Sequence, residues 1–146
     1  MALNEAQRAH ATAGGTLIAL LDCCARLGWL SLAFTLHAGW LLSGGVPLPL
    51  WLTMTAVVTL GLGVQYLALR LALDARLFRV LYRDGADAAA FDQALAELFG
   101  RPAPEEGARP LADRWRGTRR LVRVFVLLCG AQATIWVIAL ISRAWA

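Results

Sequence analysis

The sequence predicts an all-α integral membrane protein with three transmembrane helices, the second extended into the cytoplasm and followed by a short amphipathic helix. Three observations predict it. Apolar residues fill 59% of the 146 positions, and mean hydropathy is +0.58; a soluble domain carries roughly 45–50% apolar residues. Charges are segregated, with none between Leu27 and Leu69 and none between Val124 and Ser142. Eleven of the 14 basic residues, all of them arginine, lie between Arg70 and Arg123. Hydrocarbon imposes such a pattern, because a charge at the bilayer centre costs ~2.5–3.5 kcal/mol or more.

The lead-in, 1–26, is weakly charged at its start and carries Asp22 and Arg26 in its apolar part. It offers no small-residue cleavage site, so a cleaved signal peptide is not expected. The uncharged run from Leu27 to Leu69 is 43 residues long. A single span needs about 20, so the run holds two. Ser43-Gly44-Gly45-Val46-Pro47-Leu48-Pro49 divides them, since two glycines end a helix and two prolines suit the start of the next. The first span is 27–43.

The second helix starts near Pro47 and does not stop at the membrane. Its pattern stays helical to Arg83, with Arg76, Arg79 and Arg83 on one face and Leu73, Leu77 and Val80 on another. At 1.5 Å per residue the 47–83 helix spans roughly 55 Å, the last third outside the bilayer. Asp84 is read as an N-cap, with Asp87 three residues on. Ala88, Phe91, Leu95 and Leu98 then form an apolar stripe, ended by Gly100 and Pro102. A Pro-, Gly- and Glu-rich loop, expected to be mobile, covers 101–109. The cytoplasmic helix and loop together occupy 84–118, and the third span 119–143.

Orientation follows from arginine placement. The Gly-Pro turn has none and the C-terminal end only Arg143. Positive residues stay in the cytoplasm, so 70–123 and the N-terminus are inside and the C-terminus outside. Trp40, Trp51 and Trp145 agree, falling at the outer interface where indole rings prefer to sit. Arginine-only basic usage suggests a GC-rich bacterial genome, and hence an inner (cytoplasmic) membrane. Apolar spans explain the positions of the basic residues, so the net charge of +4 is not read as nucleic-acid binding.

Five arginines, Arg114, Arg116, Arg119, Arg120 and Arg123, stand just before and at the start of the third span together with Trp115. They are a candidate site for anionic lipid headgroups or an acidic partner, against a plain topology signal. Inside the membrane, Asp22, Arg26 and His37 fall near one line on the first helix, and Asp22 can pair with Arg26. His37 lies about 16 Å beyond Arg26. With Gln65 and Gln132 these residues form a candidate intramembrane polar site, because each needs a partner in lipid. A hydrogen bond from His37 to Gln65, Gln132 or a hydroxyl competes with a proton or quinone site and with haem ligation. Haem in a bundle usually takes two histidines, and His10, in the tail, is the only other one.

Small residues recur every fourth position, at Ser31, Thr35 and Gly39, at Thr55, Thr59 and Gly63, and at Gly130 and Thr134. Such ridges let helices approach closely in lipid, either within one bundle or against another subunit. Cys23, Cys24 and Cys129 have no metal-like spacing and read as small, buried, reduced thiols. There is no nucleophile–base pairing and no phosphate loop, and neither cofactor nor metal is expected.

Three functions remain. The first is a non-catalytic accessory or adaptor subunit of a larger membrane complex, or a homo-oligomer, contacting anionic lipid. The second is an anchor subunit helping to form a quinone or haem pocket. The third is a small self-assembling pore, weakened because no helix carries a continuous polar stripe.

Overall fold

The computed structural model describes residues 4–100 and 110–145. The loop expected at 101–109 lies outside them. The described chain is helical throughout, as α1 (Glu5–Ala9), α2 (Ala11–Ser43), α3 (Leu48–Leu81), α4 (Ala88–Phe99) and α5 (Leu111–Ala144). The helices α2, α3 and α5 are each long and apolar enough to cross a membrane.

Each boundary has a local cause. Asn4 caps α1 in a reciprocal box with Gln7. His10 ends α1 and caps α2, its Nδ1 accepting from the Thr12 N–H. The first span, expected at 27–43, is therefore the distal part of a helix that already starts at Ala11. At the far end Gly44 donates its N–H to the Leu41 carbonyl, and Gly45 takes φ +70°, a left-handed conformation that costs glycine least. Pro47 then leads into α3. At 34 residues α3 is about 51 Å long, and it ends at Tyr82.

The cap of α4 differs from the expected one. Asp87 rather than Asp84 is the N-cap, its carboxylate accepting from the Ala89 and Ala90 N–H groups. Asp87 stands immediately before the first helical residue, where a side-chain oxygen reaches the open amides; Asp84 lies back in the turn. Gly100 closes α4 at φ +59°. Pro110, its φ fixed near the helical value, leads into α5. The segment 111–118, assigned to the cytoplasmic loop, is instead the first two turns of that helix.

The long helices form an up-down-up bundle in which α3 packs most extensively, on α2 and then on α5. Close approach sets the α2–α3 register. A Cβ on Gly28 would lie 2.8 Å from the Ala68 Cβ, and one on Gly61 would run into Thr35 Oγ1. Gly14 meets the Tyr82 ring in the same way. The core has two parts. Toward the arginine end, Leu17, Leu21, Cys24, Val64, Leu71, Phe78 and Phe125 pack together. Toward the Gly-Pro turn, Ala38, Leu41, Met54, Val57 and Ala139 do. Large apolar side chains such as Leu36, Leu62, Leu69 and Leu127 point outward, as lipid allows.

Candidate functional site

Between the two core clusters sits a polar hub. Gln132 of α5 is wholly buried, near the middle of an uncharged run, and its amide meets both other long helices. Ser31 Oγ donates to Gln132 Oε1 at 2.6 Å. Gln132 Nε2 donates to Thr35 Oγ1 at 3.0 Å and reaches the Ser31 and Val57 carbonyls at 3.3 and 3.4 Å. Thr35 in turn donates to the Ser31 carbonyl. A missing side chain at Gly61 makes room, since a Cβ there would stand 2.7 Å from Gln132 Nε2. A primary amide in hydrocarbon must find partners, and here they come from α2 and α3 at once.

The other polar residues each act separately. Gln65 Nε2 donates to the Gly28 carbonyl at 2.9 Å, a second α2–α3 clamp. One turn nearer the Gly-Pro end, Trp136 Nε1–H donates to His37 Nδ1 at 3.0 Å. Its indole stacks on Phe34 with centroids 4.7 Å apart and meets the imidazole edge at 5.5 Å. The bond leaves Nδ1 as an acceptor, which puts the neutral ring's proton on Nε2. Asp22 pairs with Arg79 of α3 rather than with Arg26. A partner across the helix interface wins over one on the same helix, and Arg26 points outward.

The five candidates Asp22, Arg26, His37, Gln65 and Gln132 thus do not converge on one site. They lie at successive depths, and all but Arg26 bridge helices. The partner that sequence reading missed is Trp136. Nothing in the local sequence marks Trp136 as a partner; only the α2–α5 packing shows its N–H aimed at His37.

The packing ridges divide as well. Ser31 is buried and Thr35 half-buried at the helix contacts, and a Cβ on half-buried Gly63 would meet Leu128 only at ordinary distance. Thr55 is half-buried, and Thr55 and Thr59 bond back to their own helix. Gly39, Thr59, Gly130 and Thr134 face outward, with open space beside Gly39 and Gly130. The closest approaches, at Gly28 and Gly61, fall outside the every-fourth-residue ridges, because only the α2–α3 packing shows which glycines face a neighbour. Cys24 is buried and Cys129 half-buried, but Cys23 is exposed, because adjacent helical residues point about 100° apart.

At the arginine end the five-residue cluster splits. Arg114 turns inward and forms an ion pair with Asp92 of α4, both side chains about nine-tenths buried, while its guanidinium lies 5.3 Å from the Phe91 ring centre. Trp115 Nε1 donates to Tyr82 Oη at 3.1 Å. Together these bonds tie α4 and the end of α3 to the start of α5. Arg116, Arg119, Arg120 and Arg123 face outward. Within α4, Phe91 and Leu95 are half-buried, but Leu98, expected in the same stripe, is 79% exposed.

No protein-family model, curated protein or solved structure matches this chain.

Proposed function

We propose that the protein is a non-catalytic accessory or adaptor subunit of a larger assembly in a bacterial inner membrane, with the arginine end in the cytoplasm and the C-terminus in the periplasm. The observation that supports it most is how the buried polar side chains are used. Among the described residues every buried polar side-chain atom has a partner, and the interhelical ones join α2, α3 and α5 to one another. Polarity in this bundle goes into rigidity. What the bundle offers outward is surface: the exposed small positions of α2, Gly39 among them, and Leu98 at the end of a helix latched to the arginine end. Small residues on outer faces are what helix docking in lipid uses.

His37 supports this reading over the haem and quinone alternatives. Its bond to Trp136 makes it a brace between α2 and α5, with Trp40 of its own helix beside it, centroids 6.1 Å apart. The test is purification of the tagged full chain in mild detergent, with mass determination of the complex. A partner at fixed stoichiometry, lost when Leu98 is changed to Glu or Gly39 to Leu, is the expected result. A monomer with no partner, or a Soret band in the purified protein, would overturn the proposal.

A further inference from the structure

Helical geometry places Arg116, Arg119, Arg120 and Arg123 on one face of α5, since they stand at i, i+3, i+4 and i+7. That face is opposite the buried seam of Thr118, Phe125, Gln132 and Ala139. All four arginines are exposed, and among the described residues only Arg116 has an ion pair, a solvent-facing one with Asp113. Arg123 adjoins Val124, where the uncharged run begins, and Arg116 lies roughly 10 Å further down the helix. The stripe therefore covers the depth of a headgroup layer.

The same face continues into the apolar region. Leu127 is 71% exposed and Ile138 57% exposed. Between them stand the small residues Gly130, Ala131 and Thr134, all exposed. Large side chains at both ends and small ones in the middle make a shallow trough along the helix. A neighbouring helix would find this trough, but so would an acyl chain, and the charge directly below it distinguishes the two. Four stacked guanidiniums call for anionic oxygens at headgroup depth, in line with a chain lying in hydrocarbon. One molecule type supplies both.

We propose that the outward face of α5 binds an anionic phospholipid, its phosphate held by Arg119, Arg120 and Arg123 with Arg116 below, and one acyl chain lying over Gly130, Ala131 and Thr134. Arg114 is not part of this site, because Asp92 holds it on the opposite side. The inference is independent of the adaptor reading, since a subunit of any function could carry the lipid.

The test uses the purified full chain in detergent, titrated with phosphatidylglycerol or phosphatidylcholine, and reads lipid retention by native mass spectrometry and the midpoint of thermal unfolding. Phosphatidylglycerol should be retained and raise the midpoint, and phosphatidylcholine should do so far less. The triple variant R119Q/R120Q/R123Q should lose this preference, with apparent affinity falling about five-fold per arginine removed. Its midpoint without added lipid should match the parent. Gly130→Leu, which leaves the charges alone and fills the trough, should also weaken retention. R76Q/R83Q, on α3, should not. Equal retention of the two lipids by the parent overturns the proposal, as does a preference that survives the triple variant. So does loss of a copurifying protein, in place of lipid, when the arginines are changed.

Discussion

Gln132 carries more of the structure than any other polar residue. Each interhelical hydrogen bond in a membrane protein contributes about 0.6 kcal/mol on average, so the hub matters through the number of groups that it satisfies together. Gln132→Ala should destabilise the bundle by about 1–3 kcal/mol, because Ser31 and Thr35 lose partners in a buried setting. Denaturation by a harsh detergent, followed by circular dichroism, checks it. Gly61 gives a sharper contrast. Gly61→Ala puts a Cβ against Thr35 Oγ1 and Gln132 Nε2, and overpacking of this kind costs about 1–3 kcal/mol. Gly39→Ala, with open space around it, should leave the isolated chain's stability unchanged. Equal effects at the two glycines would contradict the register described here. The need for partners at Gln65, His37 and Gln132 was legible in the sequence, because hydrocarbon penalises an unpaired polar group. Their partners were not, since Gln132 and His37 are matched across α2 and α5 about a hundred residues apart, and Gln65 reaches Gly28 of α2 from α3, 37 residues away.

At the scale of the element, α4 is the least integrated helix. Twelve residues form a marginal helix in isolation. This one is sustained by the Asp87 cap, the Gly100 close and the Asp92–Arg114 pair. Breaking a well-buried pair costs several kcal/mol, because the surviving charge is left uncompensated. Asp92→Ala should therefore release α4, raising amide hydrogen exchange over 88–99 on the order of a hundredfold and leaving the middle of α3 protected. Unchanged exchange would mean that other contacts hold the helix. The boundaries of α4 were nearly readable from the sequence: the apolar period and Gly100 were found, and the cap was placed three residues early. The apolar spacing of Leu98 with Leu95 and Phe91 implied burial of all three. The structure seats only the first part of the stripe, because the Arg114 anchor lies beside Phe91 near the start of the helix.

At the scale of the molecule, α2 and α3 lie in a fixed register. Gly28 meets Ala68 and Thr35 meets Gly61, so residues of α2 and α3 whose numbers sum to about 96 share a depth. Arg26 and Arg70 then face the same headgroup plane, two residues inward from the Gly28–Ala68 contact. Arg123 stands beside the inner end of the third uncharged run. Arginines at one end of all three helices oppose translocation of that end. A reporter inserted in 101–109 should be reached from the cytoplasm and one fused after Ala146 from the opposite side; labelling of both from one side would refute the proposed orientation.

The sequence by itself determined that there are three membrane-length helices, where the uncharged turn lies, and which end gathers arginine. These are one-dimensional properties, set by hydropathy, charge and the conformational limits of glycine and proline, and they hold whatever the helices pack against. Tertiary structure alone decided that Arg114 turns inward while four neighbours turn outward, that Asp22 pairs with Arg79, and that His37 is braced by Trp136. Each depends on which faces of two distant helices meet. That is fixed by close approach at Gly28 and Gly61 and by the buried amide of Gln132, which no local pattern along the chain encodes.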